Sequence, residues 1–115
     1  MSKSIRALDD LLRDASTTRF VVVTRAAELP RLETTRLLSR LARLRLSVPA
    51  IVVNAMTLGP GACSRCRAIA ASEHRELERL RRASGRRCAI IQTPLSAPPP
   101  RGARALEAWQ RTWTS

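Results

Sequence analysis

The sequence has 115 residues, is 44% hydrophobic but only 3% aromatic, and carries a formal net charge of +12 with a pI near 11.7. That length suits one domain over residues 1–115 and excludes two, and so few rings leave the core to Leu, Val, Ile and Ala. No apolar run is long enough to cross a bilayer, and the start, MSKSIRALDDLLRD, has acidic residues and no apolar centre of the signal-peptide kind; no stable membrane insertion and a cytoplasmic setting are expected.

Along the chain, Ile5, Leu8, Leu11 and Leu12 recur at three- and four-residue spacing and predict a helix over residues 3–15. Residues 19–24, RFVVVT, are apolar on successive positions, which predicts a short strand buried on both faces. In the next segment Leu37, Leu38, Leu41 and Leu44 form one stripe and Arg36, Arg40 and Arg43 the opposite face. Pro30 fits the first turn of that helix, where a missing N–H costs nothing, and Ser47 and Pro49 end it. Residues 50–56, AIVVNAM, repeat the buried-strand pattern, and the Gly/Pro loop TLGPGA carries the chain to Cys63. A third helix follows to about Ala83, with Ile69, Ala70, Leu77 and Leu80 inward. Residues 88–94, CAIIQTP, form a third predicted strand, and LSAPPPRG a stiff extended loop. A last helix over 102–113 turns Leu106, Trp109 and Trp113 to one side.

Strands alternating with long helices imply right-handed crossovers and an α/β fold: a three-stranded parallel sheet with helices on its faces. So small a parallel sheet raises a difficulty. One edge, that of the first or the second strand, is expected to lie open and apolar, and such an edge invites pairing with another chain.

Of the 21 basic residues, 20 are Arg and only Lys3 is Lys. Basic chains attract phosphates, yet here Arg fills the solvent-facing helical positions and few aromatics remain for base stacking, so the balance weighs against nucleic acid. The run RLRRASGRR over 79–87 reads as a solvated helix end, with cations beside the C-terminal dipole. Glu33 and Arg36 read as a helical pair three residues apart.

Three cysteines in a reducing setting point to metal, redox or plain core thiols. Cys63 and Cys66 lie where a loop enters a helix, and amides at a helix N-terminus stabilise thiolates, so metal binding and redox activity are both chemically reasonable. Ser64 and Arg65 between them, and their late position, argue against a thioredoxin-like motif. His74 is more than two helical turns beyond Cys66, about 12 Å at the standard rise, and Cys88 opens a strand as a small buried hydrophobe. Neither completes a metal site that needs four ligands. Asn54 ends a parallel strand, where ligands bind in open α/β sheets; its amide suits an adenine edge, or it ends the strand through its turn preference.

Taken in order, these pieces resemble the C-terminal part of ArsA-type ATPases, the arsenite-pump ATPases and the targeting factors for tail-anchored membrane proteins. The pieces are Glu33-Thr34-Thr35-Arg36-Leu37 on a helix after a strand, Val52-Val53-Asn54 at a strand end, Cys63 to Cys66, and Pro94-Leu95 before a loop containing Gly102. The likeness covers nearly the whole chain from about residue 5. It implies the C-terminal part of a P-loop NTPase fold and an adenine pocket lined by Asn54, Pro94 and Leu95, one side of an ATP site. It also implies a homodimer in which Cys63 and Cys66 of two chains share one zinc. The departures are as informative. The four glycines form no phosphate loop, no Gly-Lys pair occurs, and the switch aspartates and the helical client-binding insertion are absent. Where the family has an acidic residue before the glycine loop, Pro99 and Pro100 stand. Hydrolysis by these residues alone is therefore not expected, and a separate chain carrying the phosphate loop is a possible partner. Two other classes stay open: a small basic zinc-bridged module for nucleic acid, and a CxxC thiol redox protein.

Overall fold

A computed structural model describes residues 2–115. The order is α1 (Lys3–Arg13), β1 (Val21–Thr24), α2 (Glu28–Arg43), β2 (Ala50–Met56), α3 (Ser64–Ser84), β3 (Ala89–Pro94) and α4 (Gly102–Gln110). The fold is α/β, with a three-stranded parallel sheet of order β1-β2-β3. Each crossover is a helix, because two parallel strands cannot be joined by a tight turn.

The core lies between one face of the sheet and the pair α2 and α3. Val22, Ile51 and Ile90 stand in one row across the three strands, with Val53 beside them, and Leu77 and Leu80 of α3 close over them. Ile51 and Val53 are fully buried. Leu38 and Leu41 of α2 pack at the margin of this cluster. Two polar ties join the layers. Thr34 of α2 donates its hydroxyl to Thr24 Oγ1 at 2.7 Å, and Arg31 Nε meets Glu76 Oε2 at 2.6 Å across the two helices. Glu76 is buried and takes a second guanidinium from Arg79, also at 2.6 Å.

The opposite face of the sheet is uncovered, which corrects the expectation of a first strand buried on both sides. Along β1 burial alternates, and Val21 and Val23 remain 56% and 64% exposed. The row Val23, Val52 and Ile91 runs across this face, with its last two members half-buried. An unbroken apolar run signals that both faces need cover; it does not say that the same residues provide it. Several helical positions expected to point inward are likewise exposed: Leu37 and Leu44 on α2, Ile69 on α3 and Leu106 on α4. The α1 stripe of Ile5, Leu8, Leu11 and Leu12 is exposed throughout. α1 is capped by Ser2, whose hydroxyl accepts from Ile5 N, and its Arg13 guanidinium reaches the Leu44 carbonyl at the end of α2.

The two edges of the sheet differ. β2 is central, so the open-edge expectation holds for the first strand and not the second. The outer edge of β3 is engaged by the C-terminal tail: Gln92 and Thr114 form an antiparallel bridge with backbone bonds of 2.6 and 3.0 Å. The tail is anchored by Trp113, packed edge-to-face on Trp109 at 5.1 Å, and Trp109 Nε1 donates to the Pro94 carbonyl at 3.0 Å. α4 itself stops at Gln110, short of the predicted 113, because Arg111–Trp113 turn the chain back toward β3. The radius of gyration is 17.0 Å and the extents are 59 × 34 × 21 Å. A compact domain of this length has a radius of about 13 Å, so the molecule is elongated, with the apolar stripe of α1 and one face of β1 exposed. Among the described residues no helix is long and apolar enough to cross a membrane.

Candidate functional site

The C-terminal ends of β2 and β3 are locked together by one hydroxyl. Thr93, which is 1% exposed, accepts from the backbone N–H of Ala55 at 3.2 Å and donates to Asn54 Oδ1 at 2.6 Å. A hydroxyl has one proton, so once Thr93 accepts from Ala55 its own proton goes to Asn54, which fixes the side chain with Oδ1 inward. The two Nδ2 donors of Asn54 then stay uncommitted among the described residues. Ala55 itself sits at φ +59°, a left-handed conformation that costs a non-glycine residue about 1–2 kcal/mol. The strain coincides with an irregularity of register between Val53 and Met56. Backbone strain of this kind concentrates at functional sites. Leu95 N closes the arrangement on the Met56 carbonyl at 2.8 Å.

Pro94 and Leu95 continue from Thr93 into an open cleft shared with Pro98, Pro99, Ala108 and Trp109. Asn54 does not line that cleft; it stands on the adjacent strand, joined to it through Thr93. The structure thus brings two of the three expected adenine residues into one groove and sets the third at its neighbour's strand end. Thr93 and Ala55 were not among the residues singled out from sequence. The one available signal was a Thr directly before the Pro94-Leu95 pair.

From Met56 the chain enters a tethered loop. Glu73 of α3 accepts from Thr57 N at 2.7 Å and from the Thr57 hydroxyl at 3.1 Å, which pins the start of the loop to the helix it will enter. Gly59 and Gly61 both have positive φ, and they turn the chain to reach Cys63. Cys63 is the N-cap of α3, and its Sγ accepts from Cys66 N at 3.2 Å. Cys63 is exposed and Cys66 half-buried, one helical turn apart. Their chemistry is unequal. The Cys66 side chain and then its amide hold the Cys63 thiol below its ordinary value, while donation to Cys63 and burial push Cys66 up. Cys63 is the readier thiolate, as helix N-terminal amides favour.

His74 is exposed on α3, and Cys88 is buried with its Sγ against the Val48 carbonyl at 3.1 Å and its thiol raised by burial. Among the described residues no three His, Cys, Asp or Glu side chains converge to hold a metal ion. Cys63 and Cys66 therefore offer two sulfurs, half of a tetrahedral thiolate set. The pair Glu33 and Arg36 meets at 3.0 Å in solvent, and Arg81 in the Arg-rich end of α3 pairs with Glu78 at 2.7 Å.

Comparison with known families matches residues 1–113 to one described as anion-transporting ATPase, ArsA_ATPase. No curated protein matches the chain. A parallel sheet with a helix in each crossover is consistent with the P-loop NTPase-like fold of that family.

Proposed function

The chain belongs to the ArsA anion-transporting ATPase family, and from that premise we propose that it supplies the adenine side of an ATP site and a zinc-linked contact between two copies. Asn54 reads the adenine edge through its Nδ2 donors, and Pro94 and Leu95 form the apolar wall. The observation that carries this reading is the Thr93 hydroxyl, which aims the Asn54 amide and leaves its donors free at the C-terminal end of the central strand, where open parallel sheets bind ligands. The 115 residues hold no glycine-rich phosphate loop. Charge stabilisation at the γ-phosphate supplies most of phosphoryl-transfer catalysis, so hydrolysis requires a phosphate side from other residues or another chain. In the setting proposed here, the cytoplasm, the completed ATPase would couple hydrolysis to anion export or to the targeting of tail-anchored membrane proteins.

Titration with a fluorescent ribose-labelled ADP tests the adenine reading. Binding is expected to be displaced by ADP and not by GDP, and Asn54→Ala is expected to weaken it by about tenfold, the equivalent of one hydrogen bond to a buried edge. Equal displacement by both nucleotides, or an unchanged Asn54→Ala, overturns it.

For the zinc, support comes from the pair of thiols at the start of α3, accessible and short of two ligands. A second copy related by a twofold axis supplies the other two. Native mass spectrometry is expected to show one zinc per two chains, with chelation or Cys63→Ser returning monomer. A metal-free monomer in zinc-supplemented, reducing buffer rejects the arrangement.

A further inference from the structure

β1 ends the sheet at an edge that nothing pairs among the described residues. Phe20 donates its amide to the Ser47 carbonyl at 2.8 Å, on the β2 side. The alternation of a strand then turns Phe20, Val22 and Thr24 toward β2 and sends the N–H and C=O of Val21 and Val23 outward. The same two valines have their side chains on the uncovered face. Their peptide groups have no hydrogen-bond partner among the described residues, and their side chains are more than half exposed. Edges of this kind are normally blunted by Lys, Pro or a bulge, and Val21–Thr24 has none of these.

The charges around this edge are one-sided. A cleft runs beside it between β1 and α2, lined by Val23 and Leu37 and flanked by Arg25, Arg36 and Arg40. Its one carboxylate, Glu33, is already held by Arg36. A second copy paired β1 to β1 would set these guanidiniums against their own kind. An acidic chain meets no such opposition, and opposite potentials both steer association and set register.

We propose that the outer edge of β1 is a docking site for an acidic protein partner, which adds a strand of β-branched residues beside Val21–Thr24 and sets carboxylates against Arg25, Arg36 and Arg40. The proposal rests on the geometry and charge of the edge and not on nucleotide binding. A chain carrying the phosphate side of the site is one such partner, and failure of the adenine reading leaves the edge and its preference intact.

The test uses two fluorescein-labelled peptides with one Val/Thr/Ile core, one flanked by Asp and Glu and the other by Lys. Fluorescence anisotropy is expected to show the acidic peptide binding at least tenfold tighter, with affinity that falls as salt rises. Amide exchange by NMR is expected to show Val21 and Val23 exchanging fast in the free chain and protected with the peptide, while Val22 and Thr24 are protected in both. Val23→Pro removes an outward N–H that the chain itself does not use, so peptide binding is expected to drop about tenfold with little change in melting. Where Val23→Pro does not fold, the exposed pair Arg36→Glu/Arg40→Glu decides, since it is expected to reverse the preference between peptides. Equal binding of both peptides, protection away from β1, or no reversal overturns the proposal. A free-chain dimer whose Val21 and Val23 amides are protected also overturns it, by giving the edge to a second copy.

Discussion

At the scale of single residues, Asn54 and Cys63 could be singled out from sequence, and the groups that hold their side chains could not. Asn54 announced itself by ending a β-branched run, and Cys63 and Cys66 by their spacing. Thr93 lies 39 positions from Asn54, and its role exists only once β2 and β3 pair with an irregular register, which no local pattern encodes. The left-handed Ala55 is hidden for the same reason, since nothing in an Ala asks for positive φ. The inequality of the two thiols was also beyond spacing, because it depends on which one caps the helix. That inequality is measurable. With metal removed and near neutral pH, iodoacetamide is expected to label Cys63 several-fold faster than Cys66, and Cys88 slowest, by peptide mass mapping. Cys66→Ala withdraws the side chain that does most to lower Cys63 and is expected to slow labelling there. Equal rates at Cys63 and Cys66 contradict the hydrogen-bond asymmetry.

At the scale of elements, the order and type of all seven followed from periodicity, and their ends moved by only a few residues. What periodicity missed is which apolar faces find cover within the chain. Helical leucines at every third or fourth position define a stripe, but the sheet offers α2 and α3 one face, so Leu38 and Leu41 reach the core while Leu37 and Leu44 stay out. It also missed Glu76, a charge that reads as solvated surface in a dense Arg/Glu helix yet is buried between α2 and α3. The Arg31 hydrogen bond holds its carboxyl below the ordinary value of 4.5, against the opposing effect of burial, with Arg79 adding to Arg31. A carboxylate with a depressed folded-state pKa contributes stability that is fully present above its unfolded value and lost as pH falls through the lower folded value. Glu76→Ala is expected to cost about 3 kcal/mol at pH 7, since it leaves a half-buried Arg31 unpaired. In acid below that folded value the gap between variant and parent narrows, because Glu76 is then protonated in both states. Urea denaturation of both at the two pH values measures this; a gap independent of pH would remove the ion pair as its source.

At the scale of the whole molecule, the sequence led to the expectation of an open sheet edge, and the structure adds an elongated shape and an exposed α1 stripe. The two edges give it direction. β3 is stopped by Thr114 on Gln92 and by the Trp109–Trp113 pair, while β1 is left unstopped. A body with a single strand-accepting end can be finished by one partner, because the far end offers no template for the next addition. Heterologous contacts that do not close produce filaments, and the tail Arg111–Ser115, bridged to the outer edge of β3, is expected to deny this chain that route. Deletion of those five residues is expected to convert a size-limited species into one whose light scattering grows with protein concentration and time, while Thr114→Pro, which removes the amide donated to Gln92, produces a weaker version. If the deleted chain stays the size of the parent, the tail has no such role. On that expectation the five residues past α4 would act as a chain terminator, holding the stoichiometry of assembly to small whole numbers.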